Sequence, residues 1–382
     1  MAFKVAERGA IAPFIVMDVM RAANRRAAAG GDVLHLEVGQ PSGQAPARVL
    51  AAAKAAIDSH PLGYTEALGL PGLRQRIAQH YRHAYGIAVA PDQVAVTTGS
   101  SGAFLLAFLA AFAAGDRVAV AAPGYPAYRN ILKALDIECV SVPVGPASRW
   151  QLTVAELEKI EGRLDGVVVA SPSNPTGSML SAHEMTALAA WCERKQIRLV
   201  SDEIYHGIAF GAPAATALGA GEHAIIVNSF SKYYAMTGWR LGWMVLPPDL
   251  LRAVECLQQN LFISPPTLSQ IAAEAVFDCI DELDARVAVY RANRDVLLEE
   301  LPKAGFTRLA PSDGAFYLYA DIGELTNDSG EFCRRMLAET GVAATPGTDF
   351  DPLQGHHTMR FSFAGATAEM VEAARRLKAW RR

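Results

Sequence analysis

Over residues 93–246 the chain alternates short β-branched runs with Ala- and Leu-rich stretches of helical period. That alternation constrains the fold more than any other feature. A strand that feeds a helix and then a further strand builds a largely parallel sheet with helices on its faces. Strands are expected at 93–98, 117–121, 166–171, 197–201, 224–229 and 241–246, with helices between them at 102–113, 126–134, 153–160 and 181–195. The last helix opens on Ser181 and Glu184, spaced as a capping box. Pro247-Pro248 marks a boundary, after which helical periodicity resumes at Asp249, and a long helix follows over about 281–301. From Gly305 the order changes to a strand at 315–320, a helix at 329–339, a strand at 359–363 and a final helix. The expected class is therefore α/β: a large domain at 41–280, a smaller α+β domain at 281–382, and an N-terminal arm at 1–40 packed against the smaller one.

Composition excludes several classes. With 382 residues, 51% of them hydrophobic, the chain can bury a core without disulfide or metal staples. At 19% charged residues it is not a disordered chain. A net charge of -4 and the lack of a long basic run argue against nucleic acid as a partner. The longest uninterrupted apolar run, 103–114, is too short to span a bilayer, and residues 1–9, with Lys4, Glu7 and Arg8, lack the apolar stretch of a signal peptide. Cys139, Cys192, Cys256, Cys279 and Cys333 are odd in number and form no C-x-x-C, which points to a reduced, cytoplasmic protein with thiols as small core residues. His183-Glu184 lacks the second histidine of H-E-x-x-H, so no metal site is expected.

Ligands of open parallel sheets bind beyond the carboxyl ends of the strands. The residues that follow each strand here are Gly99-Ser100-Ser101-Gly102, Pro123-Gly124-Tyr125, Asn174-Pro175-Thr176-Gly177, Asp202-Glu203-Ile204-Tyr205, and Ser229 with Ser231 and Lys232. Their shared placement carries more weight than any one of them. Lys232 and Arg240 are the only formal charges between Glu222 and Asp249, in a stretch that otherwise reads as buried. Unpaired buried charge is costly. Two readings of Lys232 stand: a buried ion pair or snorkelling side chain, or an amine whose pKa is lowered so that it can form a Schiff base.

Together these segments resemble the class I/II, fold-type I aminotransferases that depend on pyridoxal 5'-phosphate. The resemblance runs from Leu36-Glu-Val-Gly-Gln-Pro to Met359-Arg-Phe-Ser-Phe-Ala and keeps the family's order through Gly63-Tyr-Thr, Pro123-Gly-Tyr-Pro, Ser171-Pro-Ser-Asn-Pro-Thr-Gly, Ser201-Asp-Glu-Ile-Tyr, Ser229-Phe-Ser-Lys and Thr237-Gly-Trp-Arg-Leu-Gly. It implies an aspartate aminotransferase-like large domain with a mixed, mainly parallel sheet. Lys232 then holds the cofactor as a Schiff base, and its freed amine moves the proton at the substrate Cα. Asp202 pairs with the pyridine nitrogen and keeps it protonated. Asn174 and Tyr205 bond the ring 3-oxygen, and Tyr125 stacks on the ring. Ser100, Ser101, Gly102, Ser229, Ser231 and Arg240 receive the phosphate, the first three at a helix N-terminus suited to anions. Tyr64 reaches the partner's phosphate in a homodimer. Arg360 grips the substrate carboxylate through its planar fork, with Gly39 and Asn174 beside it.

No Lys or Arg occurs between Gln93 and Ala114, where aspartate-specific relatives read a second carboxylate; with Phe14, Ile15, Val16 and Ile263, this points to an apolar, aromatic or broad amino-acid specificity. The expected reaction is transfer of an amino group from an L-amino acid to a 2-oxo acid. A β-lyase that cleaves C–S bonds on the same fold is the alternative. Serine chemistry can also be spelled, as Gly99-Ser-Ser-Gly-Ala around Ser101 with His356 or His357 as base, or as the S-x-x-K of Ser229 to Lys232. It lacks the oxyanion segment and the K-T-G that those classes use, and it leaves Asp202, Asn174 and Arg360 without a role.

Overall fold

The structure, a computed structural model, describes residues 3–381. In chain order the strands are β1 (Leu34–His35), β2 (Val94–Thr97), β3 (Arg117–Ala122), β4 (Glu138–Pro143), β5 (Gly166–Ala170), β6 (Arg198–Asp202), β7 (Ile225–Ser229), β8 (Gly242–Val245), β9 (Arg308–Leu309), β10 (Tyr317–Asp321), β11 (Val342–Ala343), β12 (Thr345–Pro346) and β13 (Thr358–Ser362). The helices are α1 (Ile15–Ala28), α2 (Ala47–Ser59), α3 (Pro71–Tyr85), α4 (Gly99–Ala111), α5 (Pro126–Ala134), α6 (Val154–Leu157), α7 (Ala182–Lys195), α8 (Leu251–Leu261), α9 (Thr267–Glu274), α10 (Ile280–Lys303), α11 (Ser329–Thr340) and α12 (Thr367–Ala379).

Seven strands form the main sheet in the order β2-β8-β7-β6-β5-β3-β4. All run parallel except β8, which is antiparallel to β2 and β7. The sheet is thus mixed and mainly parallel, with both faces buried. Val167 and Val169 face one core cluster with Ile226 and Trp243, while Val168 faces another with Val200, Val227 and Met244. Each such Val contributes about 1.5–3 kcal/mol relative to exposure. The six expected strands of this sheet are present. The seventh, β4, was not expected: it is the edge strand, only Val142 in it is buried, and it ends on Pro143. A half-exposed edge strand lacks the continuous apolar run that marks its neighbours.

Two helices depart from expectation. The one expected at 153–160 shortens to α6, because Lys159 and Ile160 tighten to i−3 bonds with Glu156 and Leu157. The one expected at 102–113 starts earlier, at Gly99, which places Ser100 and Ser101 in its first turn. The capping box of α7 forms as expected: Ser181 N donates to Glu184 Oε2 (2.8 Å) and Glu184 N to Ser181 Oγ (3.2 Å).

A second, four-stranded antiparallel sheet has the order β12-β13-β10-β9. Its core holds Phe306, Phe316 and Phe361 with Leu297 and Leu301 of α10, and Leu36 joins it from the N-terminal segment. β1 pairs in parallel with β11, Leu34 opposite Val342. Tyr205 and Ile204, from just beyond β6, belong to this second core, so the carboxyl edge of the large sheet abuts the small one. No helix among the described residues is long and apolar enough to cross a membrane.

Candidate active site

Because β2, β3, β5, β6 and β7 are parallel, the residues that follow them emerge at one edge of the sheet. β8 runs the other way, so its start lies at that edge, with Gly242 opposite both Thr97 and Ser229. Arg240, two residues earlier, thereby reaches α4. A Cβ built on Gly99 would stand 2.6 Å from Arg240 Nη2, so the missing side chain lets that guanidinium lie close against the helix start. Gly99 also has φ +75°, where a side chain would be strained. Ser100 is half-buried and Ser101 exposed in the first turn of α4, whose free N–H groups face an anion favourably. Gly102 is buried against Thr98 Oγ1. Ser229 Oγ accepts from Ser231 N (3.0 Å) and donates to Leu241 O (3.3 Å), which holds the turn that leads into Lys232.

Lys232 Nζ donates to Gly39 O at 2.7 Å and lies 5.8 Å from the Tyr205 ring centroid. Burial first, and then the positive charges of Arg360 and Arg240, bring its pKa down to about 8, against the opposing charge of Asp202. Asp202 is buried. Its Oδ1 accepts from Ile204 N (3.1 Å), and its Oδ2 accepts a short hydrogen bond from Tyr128 Oη. Burial raises its pKa to about 7, against the lowering effect of those two bonds. An amine whose pKa is lowered thus lies near a carboxyl group whose pKa is raised, which brings the two titrations close together.

Arg360 is 3% exposed and lies over the rings of Tyr317 (4.3 Å) and Phe350 (4.7 Å). Its register places it opposite Tyr319 on β10 and Thr345 on β12. Nη1 donates to Asn174 Oδ1 (2.7 Å) and Nη2 to Glu37 O (2.5 Å), whereas Nε has no partner. No carboxylate pairs with Arg360 or Lys232 among the described residues. Tyr205 Oη and Tyr317 Oη are 2.7 Å apart. Gly39 runs so close to this pair that an added Cβ would lie 1.7 Å from Tyr317 Oη. Tyr125 is half-buried, 5.4 Å from Tyr128 and 5.8 Å from Phe14 between ring centroids.

The structure therefore gathers Lys232, Asp202, Asn174, Tyr205, Tyr125, Arg360, Gly39, Arg240 and the start of α4 at one edge. Tyr64 stands apart. It is 84% exposed and hydrogen-bonds none of the others, on a loop held by Thr267 Oγ1 to Gly63 O (2.5 Å). Ser101 hydrogen-bonds no histidine among the described residues, so the serine arrangement is not assembled. Sequence reasoning missed Tyr128, Tyr317 and Phe350. Tyr128 had a signal, since it lies one helical turn after Tyr125; Tyr317 and Phe350 are brought in by the second sheet and its loops and had none.

The model for aminotransferase class I and II matches residues 31–377. A valine–pyruvate aminotransferase of Mycobacterium tuberculosis is 53% identical over 99% of this chain and 98% of its own length. A (5-formylfuran-3-yl)methyl phosphate transaminase of Methanocaldococcus jannaschii is 31% identical over 96% of each chain. The crystal structure of an aminotransferase from Mycobacterium tuberculosis superposes with a TM-score of 0.98, at 52% identity and 99% coverage of both chains. The chain belongs to the class I and II aminotransferases, a family that depends on pyridoxal phosphate, and it moves an amino group from an amino acid to a 2-oxo acid.

Proposed function

We propose that this aminotransferase takes a monocarboxylic, aliphatic L-amino acid such as valine as donor and pyruvate as acceptor. The observation that carries the reading is Arg360: a buried guanidinium with no carboxylate partner, a free Nε, and Phe14 rather than a second cation beside Tyr125. One carboxylate is thus gripped, and an apolar side chain is received. The 53% identical relative named for valine and pyruvate supports the same donor and acceptor.

Pyridoxal phosphate fits the remaining groups. Arg240, lying close against the α4 start at Gly99, suits a phosphate. Lys232 would hold the cofactor, Asp202 would face its ring nitrogen, Asn174 and Tyr205 its 3-oxygen, and Tyr125 its ring face. Bound there, the cofactor supplies an electron sink for negative charge at the substrate Cα. Arg360 and Asn174 fix the substrate carboxylate and so orient the Cα–H bond. Lys232, neutral in part near pH 8, moves the proton at Cα. Tyr128 and Ile204 N fix the orientation of the Asp202 carboxyl.

The assembly and the division of the chain belong to the same reading. Exposed Tyr64, with exposed Leu261 at the end of α8 and Ile263 just beyond it, suits a homodimer in which Tyr64 completes the partner's phosphate site. The second core, built mostly from α10 onward and joined by Leu34 and Leu36, supports a small domain at 281–382 with the arm at 1–40. Five free cysteines suit the cytoplasm.

The test is the absorbance of the purified protein with pyridoxal phosphate, followed on addition of an amino-acid panel. Loss of the visible band with valine, as its 2-oxo acid appears, is the expected result. Pyruvate released with ammonia from a β-substituted substrate would identify a lyase instead. No visible band in excess cofactor would overturn the role of Lys232.

A further inference from the structure

The first turn of α1 has no cap of its own. Phe14 occupies the N-cap position and offers no side-chain acceptor. The acceptors come instead from the far end of the chain: Asp349 Oδ1 accepts from Ile15 N (2.9 Å) and Oδ2 from Val16 N (3.2 Å). Asp349 is 1% exposed, so its carboxylate is committed to these two N–H groups rather than to solvent. Its backbone is held in turn by the large domain: Arg129 Nη2 donates to Asp349 O (2.5 Å), and Gly124 N to Phe350 O (3.1 Å). Phe350, the next residue, is one of the two rings against Arg360. The segment that Asp349 holds carries Phe14, whose ring lies 5.8 Å from that of Tyr125, itself next to Gly124. One buried carboxylate therefore ties the carboxylate-binding arginine's platform to the apolar segment Phe14–Val16.

We propose that Asp349 is a positioning residue for substrate selection: by capping α1 it holds Phe14, Ile15 and Val16 against Tyr125, where they discriminate amino acids by the size of the apolar side chain. The inference rests on the proposed site, since it requires the substrate to lie between Arg360 and Tyr125. A helix start left without its two acceptors frays. Phe14 would then lose its fixed position, while Arg360, held through Asn174, Glu37 O and its two rings, keeps its own. The Asp349 charge also acts on Arg360, but it does so for the carboxylate of every amino acid alike and leaves the ratio between donors to report on the segment. An amino acid with a side chain beyond Cβ is affected, and one that ends at Cβ is not.

The experiment measures the amino-donor half-reaction of the holoenzyme by cofactor absorbance, with L-valine and with L-alanine. In Asp349→Asn the apparent dissociation constant for valine should rise about tenfold and that for alanine less than about twofold, as expected for loss of charge-assisted hydrogen bonds to the segment. Hydrogen exchange of residues 14–17 should speed up in the same variant. Phe14→Ala, which leaves the cap intact, should lower the valine preference in the same direction and keeps the idea testable if Asp349→Asn fails to fold. Asp351→Asn should leave the ratio unchanged, because that buried carboxylate accepts from Leu353 N and Gln354 N of its own loop and from no N–H of α1. Equal weakening of valine and alanine in Asp349→Asn, or an unchanged ratio despite faster exchange, would overturn the selective role. A wild type that converts no monocarboxylic amino acid would overturn the proposed donor class instead, and unchanged exchange of residues 14–17 in Asp349→Asn would still refute the anchor.

Discussion

Arg74 and Arg360 are the two buried arginines among the described residues, and they are satisfied in opposite ways. Arg74, on α3, gives Nε to Pro91 O (3.1 Å) and Val94 O (3.0 Å), and its Nη groups reach Asp92 at 3.2 Å and Glu66 at 3.8 Å. Its hydrogen bonds and countercharge are all internal. Arg360 lies over two aromatic rings and has neutral oxygens at its Nη groups, no carboxylate within ion-pair distance among the described residues, and a free Nε. Burial of a charge costs several kcal/mol unless it is compensated. Where the chain supplies the compensation, the arginine is architecture; where it withholds it, the arginine is a receptor for an anion that arrives from outside.

Five variants sharpen or break this contrast. The largest effect is expected for Lys232→Ala, which should abolish the visible band formed with pyridoxal phosphate and cut turnover by roughly 10³-fold or more; near-normal turnover would remove Lys232 from the chemistry. Next, Arg360→Ala should weaken amino-acid binding by roughly 2–5 kcal/mol with little loss of folding stability, because relief of a buried charge without an ion-pair partner offsets the donors lost at Asn174 Oδ1 and Glu37 O. Arg74→Ala should do the reverse: about 2 kcal/mol less stable in urea unfolding, since the buried Val94 O and the part-buried Pro91 O lose their donor, with unchanged kcat/KM. Equal behaviour of the two variants would dissolve the distinction. Tyr128→Phe should slow Cα proton removal about tenfold, read as the substrate deuterium effect, through loss of the bond to Asp202. The smallest effect is Ser181→Ala: about 1 kcal/mol of stability through the α7 cap, and none on turnover.

Titration of the cofactor-free protein gives a further check, with the sign set by which state holds the proton. Folded Asp202 keeps its proton up to about pH 7, whereas the unfolded carboxyl releases it near 3.8, so stability falls as pH rises through that window. Glu203, also raised to about 7, adds in the same direction. Lys232 acts oppositely. Folded, it loses its proton near 8, while the unfolded amine keeps it to 10.5, so stability rises over that interval. Buried His80 and His206, lowered from 6.5 to about 4, oppose that fall below about pH 6.5. In urea unfolding from pH 4 to 10 the fall is therefore read as the difference between the wild type and Asp202→Asn, and the rise follows above about pH 8. Asp202→Asn should reduce the fall and leave the rise.

Much of this was legible in the letters. Strands of the large sheet are buried on both faces and write themselves as continuous β-branched runs, so six of the seven could be read directly, and their order placed Asp202, Asn174 and Lys232 at one edge. The seventh, β4, was hidden because an edge strand is half solvated and its pattern blurs. The charges of Lys232 and Arg240 stood out because a long apolar stretch surrounds them. Local chemistry thus determined the elements, the capping box and the edge on which the polar residues gather, since each depends on neighbours close in sequence. Tertiary structure alone decided how those residues are completed. Whether a buried charge finds a partner depends on contacts across hundreds of residues: Arg360 with Glu37 O and Asn174, Asp202 with Tyr128, Tyr205 with Tyr317, Asp349 with the start of α1. A residue type announces what it can bind, but only the packed chain settles what is left for it to bind.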